Sequence, residues 1–322
     1  MTADEARTFY TSRYAFSDLF LLRPGVQIVL GDEENRQCRF CDGKPPAVTF
    51  KMDAHAILEA LGNKTLFSAY ECDACNQAFG RGIENDFGNW SKPMRTFARI
   101  RGKRGVPTLK KGGDGPGWRV EFGPSGFEIS QYETDPIFEV DEANKTAVFK
   151  LKRDTYTPIA VLKAFVKIGL TVMPPEEMEN FREALEWIRC ADHTKTFVPE
   201  GQILHTFIPG PMPSDLLSLW LLRRRTGVDD VPYAFLLLGY GNELFQVCLP
   251  SPLQDACVIG KSFHLPHFPA PDGPDSSIYG APRTKYVNMS GRTPVKGEIF
   301  KLAVGFEHAV KTSHGGGDAY SA

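Results

Sequence analysis

Two cysteine pairs in the first quarter of the chain have the spacing of metal-binding knuckles. "CRFC" spans residues 38–41 and "CDAC" spans residues 72–75, with thirty residues between the inner cysteines. Both sulfurs of each pair can reach one tetrahedral zinc ion, and four thiolates leave no open position for water or substrate. The pattern therefore predicts a structural zinc site and leaves any catalysis to other residues. The predicted ligands are Cys38, Cys41, Cys72 and Cys75.

Other uses of a Cys-x-x-Cys pair stay open at this point. A thioredoxin-like redox protein would use one such pair inside a strand–helix unit, and buried thiols can also occur by coincidence. Seven cysteines, four of them before residue 76, favour a reducing compartment over a disulfide framework. The chain shows neither an apolar run long enough for a membrane span nor an amino-terminal signal peptide. We therefore expect a cytoplasmic protein without a membrane partner.

The segment between the two pairs contains His55, the only histidine in the first 190 residues. It ends the alternating run "AVTFKMDAH", for which we expect a strand over residues 48–55. Residues two apart on a strand project from the same face, so Asp53 and His55 would share one site. An imidazole beside a carboxylate suits acid–base chemistry near neutral pH.

A basic stretch follows the cysteines, although the net charge of the chain is only −2. From residue 91 to residue 111 there is no acidic residue. Such a block is typical of a surface that contacts nucleic-acid phosphates, and its alternative is a solvated face. The residues assigned to phosphate contact are Arg95, Arg99, Arg101, Lys103, Arg104, Lys110 and Lys111.

The elements that position these residues predict an α+β protein of two domains. "KKGGDGPG" at residues 110–117 breaks regular structure and marks a boundary between a domain at 1–115 and another at 116–322. Beyond it we expect small antiparallel strands, then helices over "TPIAVLKAFVKIGLTVMP" and "SDLLSLWLLRRRTG". "YAFLLLGYGNELFQVCLP" predicts a hairpin that turns at residues 239–242.

The order of these motifs resembles the HNH endonuclease family. A Cys-x-x-Cys pair is followed by "AHAILEALGNK", then by "ECDACNQAFGRGIENDF", and finally by the basic "RIRGK". The resemblance covers roughly residues 36–111. The chain is particularly similar to a bacterial branch of the family that carries "AH", then "EALGN" and then "ECDxCN". It implies a ββα-metal unit, in which two strands and a helix hold a divalent cation while a zinc knuckle staples the loop ends.

The same resemblance implies roles for individual residues. His55 matches the general base that takes a proton from the attacking water, and Asn76 matches the helix residue that binds or orients the catalytic metal. Many family members carry an acidic or histidine ligand where this chain has Ala54, so either Asp53, one residue earlier, substitutes for that ligand or the metal is held differently. Asn63 is the nearest match to the middle asparagine. Glu84, about two helical turns beyond Asn76, would lean toward the cation.

These inferences predict a metal-dependent HNH endonuclease that hydrolyses DNA, with duplex DNA as the favoured substrate. Its cofactors would be structural zinc and a catalytic Mg²⁺, Mn²⁺ or Ni²⁺ ion, and the resemblance implies a role in bacterial anti-phage defence. The alternative is a zinc-stabilised nucleic-acid-binding or adaptor protein that has lost cleavage. The second domain would regulate the nuclease through a ligand or partner, select its substrate, or form a homodimer that cuts both strands.

Overall fold

The fold was analysed on a computed structural model of the chain. It describes residues 2–111, 117–124, 126–131, 136–195, 197, 201–258, 260–261, 265–269, 273–314 and 317–321. Residues 112–116, which hold the predicted domain boundary, lie outside this set.

The first half of the chain combines three α-helices with eight strands. Its elements are α1 (Ala3–Arg13), β1 (Tyr14–Leu22), β2 (Ile28–Leu30), β3 (Leu66–Ser68), α2 (Asp73–Arg81), α3 (Ile83–Phe97), β4 (Leu109–Lys110), β5 (Arg119–Gly123), β6 (Gly126–Gln131), β7 (Phe138–Asp141) and β8 (Thr146–Lys152). A 3₁₀ turn over Glu59–Leu61 precedes β3.

The second half begins with the most buried helix and continues into strands. Its elements are α4 (Pro158–Val172), α5 (Arg182–Arg189), β9 (Gln202–Phe207), β10 (Leu217–Arg224), β11 (Ala234–Tyr240), β12 (Glu243–Leu249), α6 (Pro252–Asp255), α7 (Ser276–Tyr279), β13 (Arg283–Asn288), β14 (Ile299–Gly305), β15 (Val310–His314) and β16 (Gly317–Ser321). A 3₁₀ segment over Pro175–Phe181 leads into α5. Together these elements confirm a mixed α+β protein.

Within the described residues the strands form four sheets. The largest has the order β1-β10-β11-β12-β9-β13, and its pairs are antiparallel. The orders β14-β8-β7 and β15-β16-β6-β5-β4 give two smaller sheets, while β2 and β3 form a parallel pair. β1 therefore brings the start of the chain into the sheet formed by its second half.

Helix α4 is the centre of the main core. All of its residues are buried, because α3 packs on one side of it while β11 and β12 pack on the other. Gly169 permits the close approach to the sheet, since a Cβ there would lie 2.6 Å from a methyl carbon of Leu249. The core that contains α4 also includes residues from α2, α3 and both cysteine pairs.

The apolar packing consequently crosses the predicted domain boundary. Leu22 and Phe87 from the first predicted domain belong to the same core as Leu236 and Met289 from the second. The turn between β11 and β12 also meets the end of α3. Gly241 has a φ of +51°, and a Cβ on it would lie 2.5 Å from the Cβ of Ala98. The domain boundary at residue 115 therefore stays a prediction, and the residues on its two sides share one apolar core.

Several sequence predictions can be compared directly with these elements. The helix predicted after Thr157 is α4, and the hairpin predicted to turn at residues 239–242 is formed by β11 and β12, so both are confirmed. The helix predicted over "SDLLSLWLLRRRTG" is wrong, because Leu217–Arg224 is the strand β10. β10 lies between β1 and β11 in the sheet, where a strand with apolar residues on both faces reads as a continuous apolar run.

The strand predicted over residues 48–55 is also wrong. Only His55 makes a bridge, to Phe67, and the residues before it are irregular. The backbone N–H groups of Lys51 and Met52 donate to the carboxylate of Asp73 at the start of α2. Because these donors are used by a side chain, they are not available to a neighbouring strand.

Candidate active site

The four knuckle cysteines converge on one point. Their sulfur atoms all lie within 4.8 Å of one another, and Cys41 Sγ is 3.7 Å from Cys72 Sγ. Tetrahedral zinc binds thiolates at about 2.3 Å, which places neighbouring sulfurs somewhat under 4 Å apart. The geometry therefore fits one metal ion held by four cysteines.

Local backbone structure explains how the two pairs meet. The first pair is a tight turn in which Cys38 N donates to Gly43 O and Asp42 N donates to Cys38 O, both at 2.8 Å. The second pair opens α2, with Cys72 as its N-cap residue. Cys72 N also lies 3.5 Å from Cys38 Sγ, so the helix start faces the first pair.

The crowded thiols titrate at different pH values. A hydrogen bond from Cys75 lowers the pKa of Cys38 to about 4, whereas burial raises the pKa of Cys72 to about 11. The hydrogen bond to Cys38 likewise raises the pKa of Cys75. Negative charge on one of these sulfurs opposes ionisation of its neighbours, and a bound cation is what would allow all four sulfurs to ionise together.

The turn that carries His55 is a short loop closed by two backbone hydrogen bonds. Ser68 N donates to Ala54 O at 2.8 Å, and Ala56 N donates to Leu66 O at 3.1 Å. His55 and Phe67 form an isolated antiparallel bridge, and the centroids of their rings are 4.7 Å apart. α2 follows this short antiparallel pair, and Cys72 at its start belongs to the cysteine cluster.

Asn63 orders the loop between His55 and β3. Its amide nitrogen donates to Ile57 O and Leu66 O at 2.7 and 2.8 Å, and its amide oxygen accepts from the backbone N–H groups of Thr65 and Leu66. The side chain is fully buried. Asn63, which the sequence placed near the catalytic centre, therefore orders the loop beside His55.

His55 has two different ring nitrogens. Nε2 lies 3.8 Å from Oε2 of Glu59, whereas Nδ1 is buried and has no hydrogen-bond partner among the described residues. Glu59 also forms an ion pair with Lys64, in which Nζ of Lys64 lies 2.6 Å from Oε1 of Glu59. The sequence analysis assigned no role to Glu59 or Lys64, although the four-residue spacing from His55 to Glu59 is visible in "HAILEALGNK".

The surroundings of His55 favour its neutral form. Burial lowers the pKa of His55 below the ordinary 6.5. Glu59 raises this pKa and Lys64 lowers it, and smaller raising effects come from Glu84 and Asp53. The imidazole is thus available to accept a proton at neutral pH.

The side chains of Asp53 and Asn76, two further predicted site residues, carry oxygen atoms that can bind a metal ion. Asp53 is exposed just before the turn, and its charge acts on His55. Asn76 is half-buried on the first turn of α2, where its backbone N–H donates to Cys72 O at 2.9 Å. Neither side chain has a hydrogen-bond partner in the described part of the chain, so the carboxylate oxygens of Asp53 and the amide oxygen of Asn76 are available to bind a cation.

Glu84 makes a different contact from the predicted one. Its carboxylate lies 3.0 Å from Nζ of Lys167 in α4. Lys167 also lies 2.7 Å from Oε2 of Glu71, and it is nearly fully buried. Burial opposes the charge on Lys167, but the two carboxylates outweigh burial and raise its pKa. Glu84 is therefore engaged in an ion pair that joins α3 to α4.

The basic stretch divides into one buried residue and an exposed group. Arg95 is buried on α3 and donates to Ser91 Oγ, Ala60 O and Gly88 O at 3.0, 3.2 and 2.7 Å. It supports the loop beside His55 and does not lie on the surface. The remaining members are exposed, namely Arg99, Arg101, Lys103, Arg104, Lys110 and Lys111.

The exposed basic group surrounds a tight turn. Gly102 and Gly105 exchange backbone hydrogen bonds of 3.1 and 3.2 Å, which places Arg101, Lys103 and Arg104 at or beside the turn. Positive charge concentrated at such a turn attracts a phosphate backbone.

A metal site needs several ligand atoms close to one another. Among the described residues, only the four cysteines bring three or more histidine, cysteine or carboxylate ligand atoms together. Within this part of the chain, the groups around His55 do not form such a cluster.

Comparisons with known proteins agree with the motifs. No curated protein and no solved structure matches the chain. Among the described helices, none combines the length and apolar character that a membrane span requires. The family model described as HNH endonuclease matches residues 38–91, the segment that holds both cysteine pairs and His55. The predicted resemblance is therefore confirmed, and residues 38–91 match the HNH endonuclease family.

Proposed function

We propose that the chain is a metal-dependent endonuclease that hydrolyses phosphodiester bonds of DNA. The observation that carries the proposal is the HNH family match over the segment in which four thiols converge and His55 is presented on a closed loop. The short pair around His55 and Phe67, followed by α2, would be the ββα unit. The cysteine cluster would hold zinc and staple its ends.

In this function His55 acts as general base. Its neutral imidazole accepts a proton from water while the water oxygen bonds to phosphorus, and the bond from phosphorus to the leaving sugar oxygen breaks. That oxygen takes a proton from solvent. A divalent cation held by Asp53 and Asn76 would stabilise the negative charge that develops on the phosphate.

The exposed basic turn would hold the nucleic-acid backbone. Its charges are presented without acidic neighbours in the sequence, and contacts of this kind carry affinity without reading bases. Duplex DNA is the proposed substrate, and a homodimer would place two sites for cutting both strands. Clustered free thiols suit the reducing cytoplasm, and the resemblance suggests anti-phage defence as the setting.

The decisive experiment is plasmid cleavage by the purified full chain at low salt with Mg²⁺, Mn²⁺ or Ni²⁺. The same samples of wild type, His55→Ala and His308→Ala are analysed for zinc. We expect one zinc per chain in all three, and cleavage that needs the added cation and is lost only in His55→Ala. Exposed His308 serves as the matched control.

A second candidate function is a zinc-stabilised nucleic-acid-binding protein without cleavage. The observation in its favour is that Glu84 is paired with Lys167, so fewer carboxylates remain near His55. Wild type that binds zinc and DNA but cuts with none of the three cations would support this candidate over the nuclease. A chain that lacks zinc but forms a reversible disulfide would support a redox protein.

A further inference from the structure

Arg99 has a backbone conformation that arginine seldom adopts. Its φ is +57°, and it lies directly after the C-cap residue of α3. Arg99 N donates to Thr96 O at 3.1 Å, and Ile100 N donates to Arg95 O at 2.9 Å. These two hydrogen bonds form a Schellman motif, in which glycine usually occupies the left-handed position. An exposed arginine is less favourable than glycine at this position, which indicates a use for its side chain.

The guanidinium of Arg99 lies over an aromatic ring. Its Cζ is 5.8 Å from the ring centroid of Phe122 in β5, within the distance at which a cation is attracted to an aromatic face. Stacking occupies one face of the planar guanidinium and leaves its N–H groups, which lie in the plane, able to donate. Within the described residues these N–H groups have neither a hydrogen-bond partner nor an ion-pair partner.

Other arginines that stack on aromatic rings use their N–H groups inside the protein. Among the residues that the structure describes, these are Arg13, Arg36, Arg39, Arg153 and Arg224. Each of them also donates to a carboxylate or to a backbone carbonyl. Arg99 differs because its donors are available to an acceptor from outside the chain. A guanidinium that is held by its face and keeps its N–H groups can bind a phosphate with two parallel hydrogen bonds.

The location of Arg99 favours a nucleic-acid phosphate as this acceptor. The neighbouring turn carries the exposed side chains of Arg101, Lys103 and Arg104. Gly102 packs this turn against the loop that follows His55, since a Cβ on Gly102 would lie 3.3 Å from Cα of Ala60. The basic turn is therefore adjacent to the loop that carries the proposed general base.

We propose that Arg99 binds one phosphate of the nucleic-acid backbone with two of its N–H groups, while Phe122 holds the guanidinium in place. This inference deepens the proposed function and rests on it for the identity of the ligand. It distinguishes Arg99 from the rest of the basic turn, where any positive charge suffices. It also brings Phe122, which lies beyond the segment matched by the HNH family, into substrate binding.

Charge-conserving substitutions test the proposal. Arg99→Lys keeps the positive charge but provides neither the planar pair of donors nor the same stacking on Phe122. Binding of a fluorescently labelled DNA duplex is measured by anisotropy on the full zinc-loaded chain, at several salt concentrations and without an added divalent cation. We expect Arg99→Lys to weaken binding about 10-fold while the salt dependence stays the same. Arg104→Lys, in the same turn, is the control and should bind like the wild type.

The role of the aromatic ring is tested by Phe122→Leu. This substitution changes no charge, and we expect it to weaken DNA binding about 3-fold because the guanidinium is no longer held. In combination with Arg99→Lys it should cause little further loss, since the two residues act through one contact. Zinc content and thermal unfolding of each variant show whether it keeps the wild-type fold.

Binding and cleavage are measured separately, so that the two proposals can fail separately. Equal affinities of Arg99→Lys and Arg104→Lys would overturn the phosphate contact, as would a loss from Phe122→Leu of the same size in both backgrounds. A chain that cuts plasmid DNA but gives either of these results would retain the nuclease function without the contact. A chain that shows the expected binding differences but never cuts would retain the contact without the nuclease function.

Discussion

The guanidinium of Arg39 lies 2.6 Å from the backbone carbonyl of Leu170, across the predicted domain boundary. The same Nη1 reaches the carbonyls of Thr171 and Met173, while the ring of Tyr70 stacks 3.8 Å from the guanidinium carbon. These carbonyls are the unpaired acceptors at the end of α4. The first cysteine pair thus caps the end of α4 through Arg39, one of the two residues between its cysteines.

Replacing Arg39 with methionine should therefore destabilise the whole chain. Three buried carbonyls would lose a charged donor, and we expect a loss of about 3 kcal/mol in the free energy of unfolding. Urea denaturation followed by tryptophan fluorescence measures it, and zinc content should be checked in parallel. Arg182→Met removes an exposed arginine from an exposed ion pair and should leave the stability nearly unchanged. Equal stability of the two variants would show that the contact does not support α4.

Asn63→Asp should destabilise the loop that carries His55 and Glu59. The substitution keeps the shape but replaces an amide donor to two buried carbonyls with an oxygen that repels them. We expect a loss of about 3 kcal/mol or more in unfolding free energy, measured by urea denaturation. Asn85→Asp, at an exposed position of α3, is the matched control and should be close to neutral. Wild-type stability for Asn63→Asp would contradict the assigned role.

The cysteine cluster was easier to predict from the sequence than the secondary structure around it. The cysteine spacing fixes which sulfurs can share a metal, and the apolar run of α4, bounded by Pro158 and Pro174, is long enough to predict a helix. The strand predicted before His55 is absent because the backbone N–H groups of Lys51 and Met52 donate to the carboxylate of Asp73, which is distant in sequence. The helix predicted over β10 is wrong because Trp220 and Leu222, on the second face of the strand, are also apolar, and this hides the alternation that identifies a strand.

Contacts across the boundary could not be predicted from local pattern. In the sequence, Arg39 is only a residue between two cysteines, because its acceptors are carbonyls of the distant helix α4. The sequence also grouped Arg95 with the exposed basic residues, but Arg95 is buried. Lys167 reads as a polar interruption of an apolar helix. Its partners Glu71 and Glu84 lie about ninety residues away in the chain, and only the tertiary fold brings them together.

Lys167→Met should be strongly destabilising because it leaves two carboxylates without their cation. Breaking a buried ion pair from one side typically costs about 3–5 kcal/mol. Adding Glu71→Gln to the same variant should recover part of the loss, since the most buried carboxylate is then neutral. A double-mutant cycle in urea measures the coupling. Additive effects of the two substitutions would argue against a working ion pair between α4 and the residue before Cys72.

The pH dependence of cleavage should report the charges around His55. Its pKa lies below 6.5, so a rate that needs the neutral base should be constant near pH 7 and fall as pH drops through that lowered value. Glu59 raises the pKa and Lys64 lowers it. Glu59→Gln should therefore move the acidic limb of kcat/KM to lower pH, and Lys64→Met should move it to higher pH. Shifts in the same direction would contradict the assignment of His55 as the titrating base.

The exposed basic turn should set the salt dependence of DNA binding. Each phosphate contact contributes about 0.9 to the slope of log affinity against log salt. Replacing Arg101, Lys103 and Arg104 by glutamine should therefore lower the slope by about 2.7 if all three contact phosphates. The matched control replaces Arg7, Arg182 and Lys195, which are exposed, basic and paired with local carboxylates. It changes the net charge equally, so an equal loss of affinity in both variants would mean that overall charge, and not the turn, attracts the DNA.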